Sequence, residues 1–309
     1  MVHEPSSESL RDLGEEKVVE RLLSLLPAGG DVVVGPGDDC AVVEGGGDEY
    51  TLLKTDCLVE GIHFEAGTEP ELVGRKAMNR ALSDIAAMGG WPSHALVTIA
   101  TESDRRMSEV EGWYRGMIES ANAGGCSIVG GETSSLPNTG AVLSIALTGR
   151  VEKESCVLRR GASPGDALFV TGRLGGSLAS GRHLSFTPRR EAARWLVKNA
   201  RPTAMMDLSD GLGSDLPRLS LASGCGFELD LDTLPRHEGC SVEQAISDGE
   251  DYELLLTLSP DLAARVSNEW SESFPDLELT RIGVMTDAAA GSTTLGKGWE
   301  HYSSGGTPE

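Results

Sequence analysis

The stretch YTLLKTDCLVEGIHF, residues 50–64, decides how the chain is read. Its first part, Tyr50–Thr55, is an apolar and β-branched run that predicts a strand. Asp56 is placed at the end of that strand. Beyond Phe64 the period changes: Leu72, Val73, Ala77, Ala81, Leu82, Ile85 and Ala86 form one stripe of a helix predicted over 71–88. A strand that passes through acidic, glycine-containing turns into a long helix is a unit of an α/β chain.

Working outward, strands are predicted at 31–34 and 40–43, preceded by a helix over 10–26 that Pro27 stops. A strand at 95–100, a helix at 108–123 and a strand at 141–151 follow. The polar, turn-rich segment EKESCVLRRGASPGD (152–166) then interrupts the pattern and sets the expected boundary between domains 1–151 and 152–309. Past it, strands are expected at 167–171, 227–231, 252–258 and 279–284, and helices at 191–199 and 212–222, the latter closed by Gly224. The fold class is α/β (α+β) in two domains, as a length of 309 residues also suggests.

The 48 acidic residues exceed the 26 basic ones, giving a formal charge of −22, which argues against general binding to nucleic acid or anionic membrane. Glycine is abundant at 39 residues without any collagen-like period, so it serves turns and close backbone approaches. The six cysteines contain no C-x-x-C pair and read as reduced thiols rather than a zinc site. The N-terminus lacks a secretory pattern and no apolar run reaches membrane-spanning length, so a cytoplasmic protein is expected.

P-loop, dinucleotide-fingerprint, protein-kinase, nucleophile-elbow and H-E-x-x-H motifs are all absent. Instead, carboxylates recur at glycine-rich turns: Gly37-Asp38-Asp39, Thr55-Asp56, Ser83-Asp84, Gly131-Glu132 and Asp207-Leu208-Ser209-Asp210-Gly211. Each has a local explanation. Gly-Asp-Asp is a good turn. Asp84 lies on a helical row with Lys76 and Arg80 that suits a solvated ion-pair ladder. Asp207 and Ser209 suit helix capping. Taken together, they suit hard divalent ions, which take oxygen ligands, and phosphoryl transfer, which needs metals and positioning more than covalent help.

The ordered series GPGDDCAVV, KTDCLVEGIHF, NRALSDIAAMGG, VGGETSS, LRRGASPGD, MDLSDGLGSDL and SDGEDYELL resembles the thiamine-monophosphate kinases, within the aminoimidazole ribonucleotide synthetase-like superfamily. The resemblance implies a two-domain PurM-like fold, with an N-terminal sheet domain that pairs in a dimer barrel and a C-terminal α/β sandwich domain. It implies Mg²⁺-dependent transfer of the ATP γ-phosphoryl group directly to thiamine monophosphate, without a phosphoenzyme, in a homodimer. By position it implies Asp39, Thr55, Asp56, Asp84, Glu132, Asp207 and Asp210 as metal ligands, with Asp56, Asp84 and Asp210 central to catalysis. Gly131, Glu132, Arg159 and Ser209 would contact ATP, and His63, Glu250 and Trp299 the substrate.

These roles agree with the side chains' own chemistry. Arg159 is a permanent cation suited to phosphate, and Trp299 offers an aromatic face to a cationic thiazolium. Two positions depart from the family pattern: Glu132 stands for the usual Asp, and Lys54 for a small hydroxyl residue. By strand alternation Lys54 shares a face with Asp56, so its ammonium is expected either to replace the charge of one metal or to touch a phosphate. The alternatives are a sister ATP-using enzyme of the superfamily and a non-catalytic nucleotide- or metal-binding relative. Selenophosphate-synthetase-like proteins carry a reactive Cys or selenocysteine in an N-terminal segment, and none precedes Gly35. Hydrogenase-maturation relatives carry a C-terminal cysteine, and this chain ends HYSSGGTPE.

Overall fold

The computed structural model describes residues 8–27, 29–299 and 301–302. Residues 1–7 and 303–309, on which the readings of the N-terminus and of HYSSGGTPE largely fall, lie outside the described residues. The N-terminal sheet uses β1 (Val32–Val34), β2 (Ala41–Glu44), β3 (Glu49–Val59), β4 (Trp91–Glu102), β5 (Ser127–Leu136) and β6 (Ala141–Glu152) in the order β1-β2-β3-β6-β4-β5. All its pairs are antiparallel except β4 with β5. Helix α1 (Leu10–Leu23) precedes the sheet, α2 (Pro70–Ala87) links β3 to β4, and α3 (Met107–Gly124) carries the chain across from β4 to its parallel neighbour β5, as a parallel pair requires.

Helix α2 lies on one face of the sheet. Its Val73, Met78 and Ile85 join Leu52, Leu58, Val97 and Ile145 in one core, where burial of apolar surface supplies the main driving force. Gly74 and Gly116 bring α2 and α3 together: a Cβ at Gly74 would run into the Trp113 carbonyl, and one at Gly116 into that of Glu71. Among the described residues nothing covers the opposite face of the sheet, which exposes Leu53, Leu96 and Val129.

The second sheet is formed by β7 (Ala167–Thr171), β8 (Ala204–Asp207), β9 (Cys225–Leu229), β10 (Leu254–Leu258) and β11 (Leu279–Asp287), in the order β8-β10-β7-β11-β9, with every pair antiparallel. Its helices are α4 (Ser177–Ser180), α5 (Arg190–Asn199), α6 (Leu212–Ser223), α7 (Val242–Ser247) and α8 (Pro260–Ser273). On one face α6 packs Leu212, Leu216 and Leu219 against Val170, Met206 and Leu255. On the other, Leu196 of α5 and Trp270 of α8 pack against Phe169, Met205 and Leu256. Ala86 and Ala87, at the end of α2, belong to this last core, so one helix is buried in both halves.

Several elements differ from the sequence reading. β3 continues to Val59, paired residue by residue with β6, so Asp56 lies within a strand rather than at its end. Gly130–Thr133 reads as a glycine-rich turn, yet pairing with β4 makes it part of an edge strand. β8 and α8 were not predicted; β8 is only four residues long, and α8 buries only Val266 and Trp270. α1 ends at Leu23 and is interrupted at Gly14, where φ is 72°.

Candidate active site

Three carboxylates from separate elements converge between the two sheets. Asp39 sits in the loop before β2, Asp84 in the last turn of α2 and Asp207 at the end of β8. One oxygen of each lies within 4.8 Å of the others, and all three residues are buried. Ser83 Oγ donates to Asp207 Oδ2 at 2.6 Å. Arg159 Nη2 donates to Asp39 Oδ1 at 2.6 Å, while Asp39 Oδ2 is buried with no partner among the described residues. Burial, then the neighbouring Asp39, pushes Asp207 up to about 7, and the same two causes push Asp38 to about 6. An orphaned carboxylate oxygen beside crowded carboxyls with raised proton affinity is a donor set that fits a hard divalent cation.

The helical row Lys76, Arg80, Asp84 is not a solvated ladder. Its members turn inward, each to a different partner. Lys54 Nζ on β3 is 2.8 Å from Asp84 Oδ1. Arg80 Nη2 is 3.1 Å from Asp56 Oδ1. Lys76, whose side chain is 0% exposed, meets Glu250 Oε1 at 2.7 Å. The capping explanation for Asp207 and Ser209 also fails, because Gly211 is the N-cap of α6 and makes no side-chain cap among the described residues. Asp210 instead accepts from Arg218 Nη1 at 2.5 Å.

Next to this cluster lies a cavity of about 820 Å³, lined among others by His63, Arg80, Ser209, Asp210, Glu250 and Trp299. His63 Nδ1 accepts the Val59 N–H at 3.0 Å, which leaves the ring proton on Nε2. Burial, then the cations Arg80 and Lys76, lowers the His63 pKa to about 3, so the ring is neutral at physiological pH. Glu250 is held at a φ of 53° and Tyr252 at 52°, in the left-handed region that side chains disfavour. Tyr252 is anchored by stacking on Phe186, with ring centroids 3.9 Å apart. The Trp299 backbone N–H bonds to the Asp210 carbonyl at 3.0 Å, which seats the tail segment on the acidic loop.

The structure thus brings together Asp39, Asp84, Asp207, Asp56 and Arg159 on the helix-covered side, and His63, Glu250, Trp299, Ser209 and Asp210 around the cavity. It does not bring Thr55, Gly131 or Glu132 to them. Thr55 is exposed on the uncovered face, opposite Lys54 and Asp56. Glu132 aligns with Thr98 on that same face. Sequence reasoning missed Lys76, Arg80 and Arg218. The available signal was the helical spacing of 76, 80 and 84, which marks one face whichever way it points.

Comparison with known proteins fits this arrangement. Residues 37–151 match the AIR synthase related protein, N-terminal domain, and residues 163–296 its C-terminal domain; the chain has the two-domain scaffold of that class. A thiamine-monophosphate kinase of Rhodopirellula baltica is 40% identical over 82% of this chain and 84% of its own, and one from Aquifex aeolicus is 32% identical over 95% and 99%. The solved structure of AaThiL complexed with AMPPCP and TMP superposes with a TM-score of 0.83 at 32% identity, covering 96% of this chain and 100% of that one. The chain belongs to the thiamine-monophosphate kinase family. The E. coli hydrogenase maturation protein HypE, 19% identical with a TM-score of 0.66 over 77% of this chain and 80% of its own, shares the fold.

Proposed function

We propose that this chain catalyses ATP-dependent phosphorylation of thiamine monophosphate, yielding thiamine diphosphate and ADP. The observation that carries the reading is the buried Asp39–Asp84–Asp207 cluster together with a cavity lined by His63, Glu250 and Trp299, the two linked by Arg80, which lines the cavity and pairs with Asp56, and by Ser209 and Asp210 just after Asp207. Asp39, Asp84 and Asp207 would hold Mg²⁺, with Asp56 and Asp210 nearby. The ion would neutralise charge on the phosphoryl group in flight.

The protein's own groups account for the rest. Arg159 is a planar cation suited to ATP phosphate oxygens. His63, neutral and protonated on Nε2, lines the cavity as a hydrogen-bond donor. Trp299 and Glu250 suit a cationic thiazolium through a ring face and a negative charge. The acceptor phosphate is already ionised, so no general base is required. Direct in-line transfer then depends on positioning, the usual source of rate in phosphoryl transfer.

We place the enzyme in the cytoplasm as a homodimer. Six unbridged cysteines suit a reducing compartment. The uncovered face carrying Leu53, Leu96 and Val129 suits a second sheet; Thr55 and Glu132 lie on that face and would meet a site only through the partner. Among the described residues no helix is long and apolar enough to cross a membrane. Incubation with ATP, Mg²⁺ and thiamine monophosphate tests the activity. Equimolar thiamine diphosphate and ADP, lost in Asp56→Asn, is the expected result. ATP consumption without thiamine diphosphate would assign a different acceptor, and nucleotide binding without turnover would assign a non-catalytic binder.

A further inference from the structure

The geometry points to Lys54 as a tethered cation that takes one position in the carboxylate cluster, so that this chain binds one divalent ion fewer there than the same site with a neutral residue 54. The inference rests on reading Asp39, Asp84 and Asp207 as a divalent-cation site.

Lys54 lies on β3 between Leu53 and Thr55, and strand alternation sends its side chain to the helix-covered face. There its ammonium meets Asp84 Oδ1 at 2.8 Å, at a point where Asp84 is already within 4.8 Å of Asp39 and Asp207. The Lys54 side chain is only 21% exposed and that of Asp84 only 10%, so water screens the pair poorly. A metal ion and an ammonium cannot share one carboxylate oxygen in such a place, since like charges in a weakly screened interior repel strongly. The other carboxylates are differently placed. Among the described residues, Asp39 Oδ2 is buried with no partner and the Asp207 side chain accepts only a hydroxyl, from Ser83. The cluster therefore divides into an occupied end, Asp84 with Lys54, and an open end, Asp39 with Asp207. Of the two roles the sequence leaves to Lys54, the structure favours replacing a metal's charge over touching a phosphate, because the ammonium is spent on Asp84. The other cations paired with acidic residues of the cluster and its neighbour differ in kind: Arg159 and Arg80 reach Asp39 and Asp56 through planar guanidinium groups, whereas Lys54 is a compact point charge of the sort a metal ion presents; Lys76, also an ammonium, is paired with Glu250.

The test counts ions without using turnover. Bound Mn²⁺ is measured by electron paramagnetic resonance on the full chain, with and without a non-hydrolysable ATP analogue, for wild type, Lys54→Ser, Lys54→Gln and Lys54→Arg. Lys54→Ser is expected to bind one more Mn²⁺ per chain than wild type, and Lys54→Arg the same number. Lys54→Gln keeps a hydrogen-bond donor for Asp84 and serves if the serine variant does not fold; it too is expected to gain the ion. An unchanged count in a folded neutral variant overturns the proposal. Absence of Mn²⁺ binding in every protein overturns the metal reading along with it, whereas Mn²⁺ binding without phosphoryl transfer overturns only the kinase reading.

Discussion

Lys76 Nζ stands 2.8 Å from Glu250 Oε2 and 2.6 Å from the His63 carbonyl oxygen, so one buried ammonium joins the loop after β3 to the loop before β10. Those loops carry two of the residues assigned to the substrate. Burial lowers the Lys76 pKa to about 8, against the pull of Glu250. The pair holds the two halves of the cavity in register. It also restrains a glutamate whose backbone occupies a disfavoured conformation.

Removing one partner of a buried pair strands the other. Lys76→Met is therefore expected to cost ~3–5 kcal/mol of stability. Lys76→Met with Glu250→Gln should recover part of that loss, and urea denaturation of the single and double variants measures the coupling. Equal stability of the single variant and wild type would show that the pair contributes nothing.

Asp207 carries a signed pH dependence. Its folded-state pKa is raised to about 7 from a reference of 3.8, so the metal-free protein binds the proton more tightly than the unfolded chain. The contribution is fully present below the reference value and is lost as pH rises through 7. Without divalent ions, Asp207→Asn is expected to gain stability relative to wild type between pH 4 and 8, while losing the stabilisation that Mg²⁺ with nucleotide confers on wild type. Thermal melts across that range, with and without Mg²⁺ and ATP, check both halves.

His63 behaves in the opposite sense. Its folded pKa of about 3 lies below the usual 6.5, so its contribution is present above 6.5 and is lost as pH falls toward 3. The His63 ring signal in an NMR titration should not move between pH 5 and 8. Relative to wild type, His63→Asn should lose less stability on acidification.

At Gly116 the helices α2 and α3 leave no room for a methyl group, since a Cβ would meet the Glu71 carbonyl. Gly116→Ala should cost ~1–3 kcal/mol through overpacking, despite the better helix propensity of alanine. A midpoint shift to lower denaturant with an unchanged slope would be the signature.

The uncovered sheet face predicts association. Leu96→Glu, at an exposed position of β4, should halve the mass seen by sedimentation. It should also reduce nucleotide affinity if Glu132 serves the partner's site. A wild-type monomer at micromolar concentration would remove the interface.

Much of this was legible in the chain. Periodicity located α2, α3 and α6, and the motif order located the family, because those segments repeat one physical pattern over many residues. Asp39 and Asp84 were legible as candidates, one in a Gly-Asp-Asp turn and one on a helical row, whereas Asp207 ends β8, a four-residue strand that periodicity does not mark. What failed did so for local reasons. β5 includes Gly130, Gly131, Thr133, Ser134 and Ser135, whose turn propensity yields to the parallel ladder with β4. Asp56 looks like a strand terminator, yet eleven successive pairs of β3 with β6 carry the strand past it. The direction in which Lys76, Arg80 and Asp84 point is a tertiary fact; a spacing of four residues marks a helix face without saying what that face meets.

The resident partners of the acidic residues carry one more consequence. Arg159 holds Asp39, Lys54 holds Asp84, Arg80 holds Asp56 and Arg218 holds Asp210. The site thus behaves as an ion exchanger already loaded with its own counter-ions. In the proposed reaction, entry of a metal–nucleotide would trade the partner of Asp39, freeing the Arg159 guanidinium for the phosphates, while Lys54 stays on Asp84. On that reading, the affinity of this strongly acidic protein for an anionic substrate would depend on the internal trade, and only shallowly on the salt of the medium.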